Sequence, residues 1–472
     1  MRRRLPVAVA AVVAAALVLP AAASAHGLVG KQDLPIPRWL FAWGAAMVLV
    51  LSFVALATLW PRPRMQELRE RVVWAGIPRV LEVLCGAVGV AVFGIVVYAG
   101  LAGSQSPLEN LAPTFVYVVF WVAVPFASLL LGDVFRAFNP WRAVARAVAW
   151  AAGRVMPAGA LPEPLAYPVR LGRWPAAAGI LVFAWVELVS VNRDDPSLLA
   201  ILALAYAAVQ LVGMSLYGLD PWLRNADPFG VFFGLLARVA PLRWRDRSLV
   251  VRRPLSGLPS LDPRAGTVAL VCVAIGTTTF DGFSMGTLWN DVAPDLQQWF
   301  IDVGLSAQDA LQLAFTIGLV GCVLAVYGLY RLGIAGMRTV GEGHDARELA
   351  GLFAHTLVPI AFAYLVAHYF SLLGYQGQAL AYLVSDPLGD GSNLFGTAAA
   401  TIDYGWISAT GVWYVQVGAL VVGHVAGLAL AHDRALAVYR DPQAATRSQY
   451  WMLTVMVGFT SLGLWLLSAS AQ

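Results

Sequence analysis

Charge is what this sequence has least of: 12% of its 472 residues are Asp, Glu, Lys or Arg, about half the share usual for a soluble globular chain. So little charge cannot cover a water-facing surface, and an ordinary soluble fold is excluded. Lysine is nearly missing, with Lys31 the only one. The net charge of +4 comes from arginines gathered in certain connecting segments and not from one basic face, so no nucleic-acid partner is expected. Cysteine is scarce too. Cys85, Cys272 and Cys322 all sit in apolar stretches without a CxxC neighbour, and three cannot make an even disulfide framework; they read as small buried hydrophobes. No HExxH or HxH motif occurs.

What the chain has in quantity is apolar length: 59% of it is hydrophobic. Runs of the roughly 20 residues needed to cross a bilayer lie at about 38–60, 78–100, 114–132, 174–191, 197–217, 266–285, 306–331, 350–374, 410–431 and 450–469. They predict an all-α integral membrane helical bundle of about ten transmembrane helices, with cytoplasmic interfacial amphipathic helices besides. That pattern overrides the prior of about 150 residues per soluble domain. Residues 1–25 read as a cleavable signal peptide: Arg2, Arg3 and Arg4, an apolar run to about Leu19, then Ala23-Ser24-Ala25. Cleavage would leave His26 first, and 26–472 as a single polytopic membrane domain.

Arginine sets the expected orientation. With the mature N-terminus outside, every second connection is cytoplasmic. Those connections hold Arg62, Arg64, Arg69 and Arg71, then Arg136 to Arg173, then Arg224 to Arg264, then Arg338 and Arg347, then Arg434, Arg440 and Arg447. The opposite connections hold only Lys31, Arg38 and Arg193. The expectation is a multi-pass plasma-membrane protein in the lipid bilayer, with both mature termini extracellular.

Two cytoplasmic segments resemble each other. Arg136-Ala-Phe-Asn-Pro-Trp141 follows the third span and Arg224-Asn-Ala-Asp-Pro-Phe229 the fifth. Asn-Pro and Asp-Pro start helices well, the side chain capping and proline taking the first turn. Each is expected to continue as a surface-lying amphipathic helix, Ala143 to Ala151 and Val231 to Val239. The chain then divides into a parallel repeat, 78–151 and 174–240, and a C-terminal bundle, 266–472. Two outer connections, Gly282 to Asp302 and Gly377 to Ser408, are expected as loops able to cap the extracellular mouth.

Ionisable groups at membrane depth are costly and are functional candidates by default. The candidates are Asp281, His355, His368, Gln416, His424 and Glu187, with Glu82 near the inner end of span 2. Counting along the spans sets His355 and His424 at similar depth near the cytoplasmic side. His368 lies about 20 Å further out, level with Asp281 on span 6 and Tyr414 and Gln416 on span 9. Pro359 lies between and breaks span 8. His344 and His432 read as solvated.

Several readings stay open. The polar clusters are stations for a small ligand or an ion, a proton or a metal, on a transport or sensing route. Or His355 and His424 ligate a b-type haem. Or Asp281 and His368 hold a metal that activates water. Or the histidines only make interhelical hydrogen bonds. A processed His26 offers amine and imidazole to a copper ion, with His368 as the second histidine; copper and zinc are the metals considered. Protein partners are not legible.

The stretch His26-Gly-Leu-Val-Gly-Lys-Gln-Asp-Leu-Pro-Ile-Pro-Arg-Trp-Leu-Phe41, with Phe280-Asp-Gly-Phe283, His368-Tyr-Phe370, Gly423-His424 and Ala431-His-Asp-Arg434, resembles a family of actinobacterial multi-pass membrane proteins commonly labelled fenitrothion hydrolase. The resemblance covers nearly the whole mature chain. It implies a membrane-embedded hydrolase of organophosphate triesters, with His26, Asp281, His368 and His424 as family features.

Overall fold

In the computed structural model the described residues are 38–157, 162–245, 247–340 and 342–469; the expected signal peptide, His26 and Lys31 lie outside them. Ten helices, labelled α1–α10, occupy the ten expected positions: Arg38–Leu59, Arg79–Ala102, Leu111–Leu131, Trp174–Leu188, Pro196–Tyr217, Thr267–Ser284, Ala307–Met337, Val358–Gln376, Ala409–Val438 and Tyr450–Ala469. Among the described residues, seven helices are long and apolar enough to cross a membrane: α2, α3, α5, α6, α7, α9, and α8 within Ala346–Leu383. The chain is therefore a multi-pass all-α membrane bundle. Trp43–Leu59 of α1 and Trp174–Leu188 are shorter apolar helices; the 15 residues of α4 extend roughly 22 Å, short of the ~30 Å hydrocarbon core.

The centre of the bundle is α6 and α8, buried on most sides, whereas α2 and α5 expose much of their apolar surface, as lipid contact allows. α8 and α9 pack closely because α9 presents glycine. A Cβ at Gly423 would meet the Ala363 Cβ at 2.2 Å and the Pro359 carbonyl oxygen at 2.8 Å, the small-residue contact that joins helices in lipid. Pro359 sits in the first turn of α8, after a 3-10 turn at Ala354–Leu357, so the expected break is present. α3 is interrupted as well: Phe115–Ala123 is π-helical, just before Pro125, which has no N–H to give.

Four connections differ from expectation. Glu70–Trp74 (β1), Leu242–Arg245 (β2) and Ser248–Arg252 (β3) form an antiparallel sheet in the order β1-β3-β2. From the sequence alone these segments read as plain loop; in the sheet Glu70 is ion-paired to Arg243 at 2.8 Å. Asp227 caps Pro228–Leu236 as expected, accepting from the Gly230 N–H, but that helix is not surface-lying. Pro228, Phe229, Val231, Phe232, Phe233, Leu235 and Leu236 are all buried, because a helix apolar on every face belongs in a core. Pro140–Val155, capped by Asn139, does keep an exposed face, and Glu82 of α2 fastens it through Arg142 at 2.7 Å and through Arg146. Thr287–Asp302 is a helix, not a loop, anchored by buried Trp289 against Phe280 and Phe315. The connection after α8 crosses to the ends of α2 and α3, where the Leu388 and Pro387 carbonyls accept from the Ser104 and Leu111 amides.

His432 is not solvated. α9 runs past it, and it is 1% exposed, with its ring against the Trp60 carbonyl and the Gln449 amide. Beside it, fully buried Asp433 accepts from the Trp60 indole, the Arg64 and Met65 amides and the Gln66 side chain. This tie between α9 and the connection after α1 was not foreseen. His344 is partly buried too, 3.6 Å from Glu342.

Candidate functional site

The outer polar site is built from α4, α6 and α8, not from spans 6, 8 and 9. His368 Nε2 lies 2.6 Å from Asp281 Oδ2. The next residue on α8, Tyr369, places its hydroxyl 3.2 Å from Asp281 Oδ2 and 3.3 Å from Glu187 Oε1. Tyr369 is buried, while the His368 and Asp281 side chains keep 26% and 17% of their surface uncovered by the rest of the protein. Trp121, on the π-helical turn of α3, lies next to the Tyr369 hydroxyl, and its buried indole N–H has no hydrogen-bond partner. From α9, Gln416 is half-buried and Tyr414 exposed, and among the described residues no hydrogen bond joins either to the cluster.

Two electrostatic features set this site apart. A tyrosine hydroxyl donates one hydrogen, yet two carboxylates face it: with both ionised, Tyr369 serves Glu187 and His368 serves Asp281, and the Tyr369 oxygen is left facing Asp281 Oδ2 with no hydrogen between them. Glu187 and Asp281 also stand in the last turns of α4 and α6, where the helix dipole is negative and disfavours an anion. Both features favour a further proton or cation.

The inner histidines are a different matter. In each, Nδ1 faces a carbonyl of its own helix, Leu352 for His355 at 2.9 Å and Leu420 for His424 at 2.7 Å. Each Nε2 is buried without a partner. Their depths agree to about one helical turn: Gly427 packs on Thr356 and Gly423 on Pro359. The directions differ, since the His424 ring turns to Tyr364 and Phe459. The cavity that His424 borders measures about 40 Å³ and does not include His355 among its lining. It has room for a water or two and none for a porphyrin, so the haem reading does not fit. Nor do the described residues contain a group of three or more His, Cys, Asp or Glu able to hold a metal ion. The ligand atoms of Asp281 and His368 face each other, and His26 lies outside the described residues.

One pattern was overlooked in the sequence. Gly282-Phe-Ser284-Met-Gly286 spells G-x-S-x-G, which in serine hydrolases places the nucleophile on a strand-to-helix turn. Here Ser284 ends a helix and its hydroxyl donates to the Asp281 carbonyl at 2.8 Å. Tyr369 and Trp121 were missed because each is one aromatic among many in an apolar span; only tertiary contact singles them out. The chain matches no protein-family model, no curated protein and no solved structure.

Proposed function

We propose that this membrane protein moves or senses a small ion or ligand in step with a proton exchanged at His368, Asp281, Tyr369 and Glu187. The observation that carries the reading is the single Tyr369 hydroxyl between two carboxylates from two helices. Taking up a proton, Glu187 or Asp281 becomes a donor and the array is satisfied; losing it, the site regains a negative charge that attracts the next cation. The arginine bias supports placing this end of the bundle on the extracellular side of a plasma membrane.

The test uses full-length protein in liposomes on a solid support. An external pH jump should displace charge in wild type, and Asp281→Asn or Glu187→Gln should suppress the displacement. Equal signals from wild type and both folded variants would sink the reading.

A phosphotriester hydrolase is the second reading, favoured by the Asp281–His368 pair close to Ser284. A histidine held by a carboxylate is the base half of such chemistry. Release of nitrophenol from a triester by wild type, abolished in Ser284→Ala and His368→Gln, would favour it over transport.

A further inference from the structure

A cavity of about 470 Å³ opens away from the outer site, beside the N-terminus of α4, where seven arginines and four aspartates line it. That size suits a small ligand. Three of the arginines are tied to acids: Arg142 to Glu82, Arg243 to Glu70 and Arg264 to Asp262. Arg173, Arg224, Arg136 and Arg238 form no ion pair among the described residues.

Arg173 is decisive. It is 95% buried, being 5% exposed, and it holds the N-cap position of α4 without a side-chain capping bond. There the helix dipole is positive, so a cation is misplaced and an anion is favoured. Its NH1 donates to the Asp262 carbonyl and the Thr267 hydroxyl, but its Nε has no partner. Burial pushes the guanidinium down to about 10, with Arg238 and Arg264 adding repulsion and Asp262 only a smaller opposite pull. A buried cation without a counter-ion is strongly disfavoured. Hydrogen bonds to neutral oxygens do not cancel its charge.

Nor do the aspartates in the wall supply the missing anion. Asp227 is spent on Asn139, Trp141, Tyr206 and the Gly230 amide. The Asp262 side chain is turned to Arg264. Asp133 caps the Arg136 amide, and Asp220 lies at the first turn of Leu219–Asn225. What remains is an arginine-rich recess at a helix N-terminus, the environment in which planar guanidinium groups bind phosphate oxygens.

We propose that this cavity binds a phosphate-bearing anion, held by Arg173 at the base and by Arg238 and Arg224 above it. The phosphate can come from an anionic lipid headgroup at the inner surface or from a soluble phosphomonoester, and the experiment separates the two.

Full-length protein in phosphatidylcholine nanodiscs is titrated with glycerol 3-phosphate against sodium chloride of equal ionic strength. In parallel it is placed in phosphatidylglycerol nanodiscs, and the unfolding temperature is followed in both. A rise with glycerol 3-phosphate identifies a soluble ligand; a rise with phosphatidylglycerol alone identifies a headgroup. In either case Arg173→Gln should weaken the response about tenfold, the loss of one charge-assisted bond. Should Arg173→Gln fail to fold, Arg224→Gln at the exposed mouth, which breaks no internal bond, is expected to weaken it several-fold. No rise in either arm, or rises of wild-type size in the folded variants, would overturn the proposal.

Discussion

The two ends of α4 carry opposite charge, each the charge its helix dipole disfavours, whereas α6 repeats the acidic end with Asp281 and sets the neutral Thr267 beside Arg173 at the other. At the N-termini stand Arg173 and Thr267; fourteen residues on, roughly 21 Å along each axis, stand Glu187 and Asp281. The outer groups close on one another across α4, α6 and α8, where we propose that a proton is exchanged. The inner groups line an open cavity, where we propose that an anion binds. The difference teaches that one pair of helices can present a compact proton site to one side and a wide anion site to the other. A small shift of either helix would move both.

The largest expected effect lies away from both sites. Asp433→Ala removes one acceptor from four donors at a buried position and should lower stability by about 3 kcal/mol, read as the denaturant midpoint in detergent. Proton displacement and phosphate binding should fall together. If only one of them fell, the tie between α9 and the connection after α1 would belong to that site and the comparison would need redrawing. Next comes Asp281→Asn, expected to cut charge displacement about tenfold or more while leaving the phosphate response at its wild-type value. Loss of both would mean that the two ends are one site.

Tyr369→Phe should act more mildly. It removes the bridging hydroxyl but neither carboxylate, a change of about 1 kcal/mol and so a several-fold smaller displacement in the same electrical recording. A full loss would show that Tyr369 itself passes the proton. Smallest is Asp227→Asn. Burial raises the Asp227 pKa, so its contribution to stability is complete below the unfolded value and falls away as pH rises through the folded one. The asparagine variant, still able to cap Pro228–Leu236, should flatten that acid-side slope in thermal melts. It should not weaken phosphate binding, since a negative wall charge is gone.

Much of the fold was legible because a bilayer leaves few choices. The ten apolar runs became ten helices, and both proline-started helices begin at the expected Asn139 and Asp227. The site was only half legible. Asp281, His368 and Glu187 could be named because each is an ionisable group in an apolar run. Their grouping could not, since a count of residues gives depth along a helix but not the direction a side chain faces. Hence His355 and His424 share a depth without facing each other, and Gln416 stands at the right level on a helix outside the cluster. The arginine cavity escaped notice for a related reason: the positive-inside pattern accounts for every arginine there, so Arg173 looks like any other cytoplasmic charge until its burial is known.

By itself the sequence determined that this chain lives in a membrane, roughly where its ten apolar helices lie, and which connections carry the positive charge. Hydrophobic length, proline caps and arginine placement are properties of residues in order along the chain. Only the tertiary structure decided that Tyr369 bridges Glu187 and Asp281, that Pro228–Leu236 is swallowed by the core, and that Arg173 is buried without a counter-ion. Those facts depend on which helix faces lie against which, and helix rotation is set by packing between segments far apart in sequence.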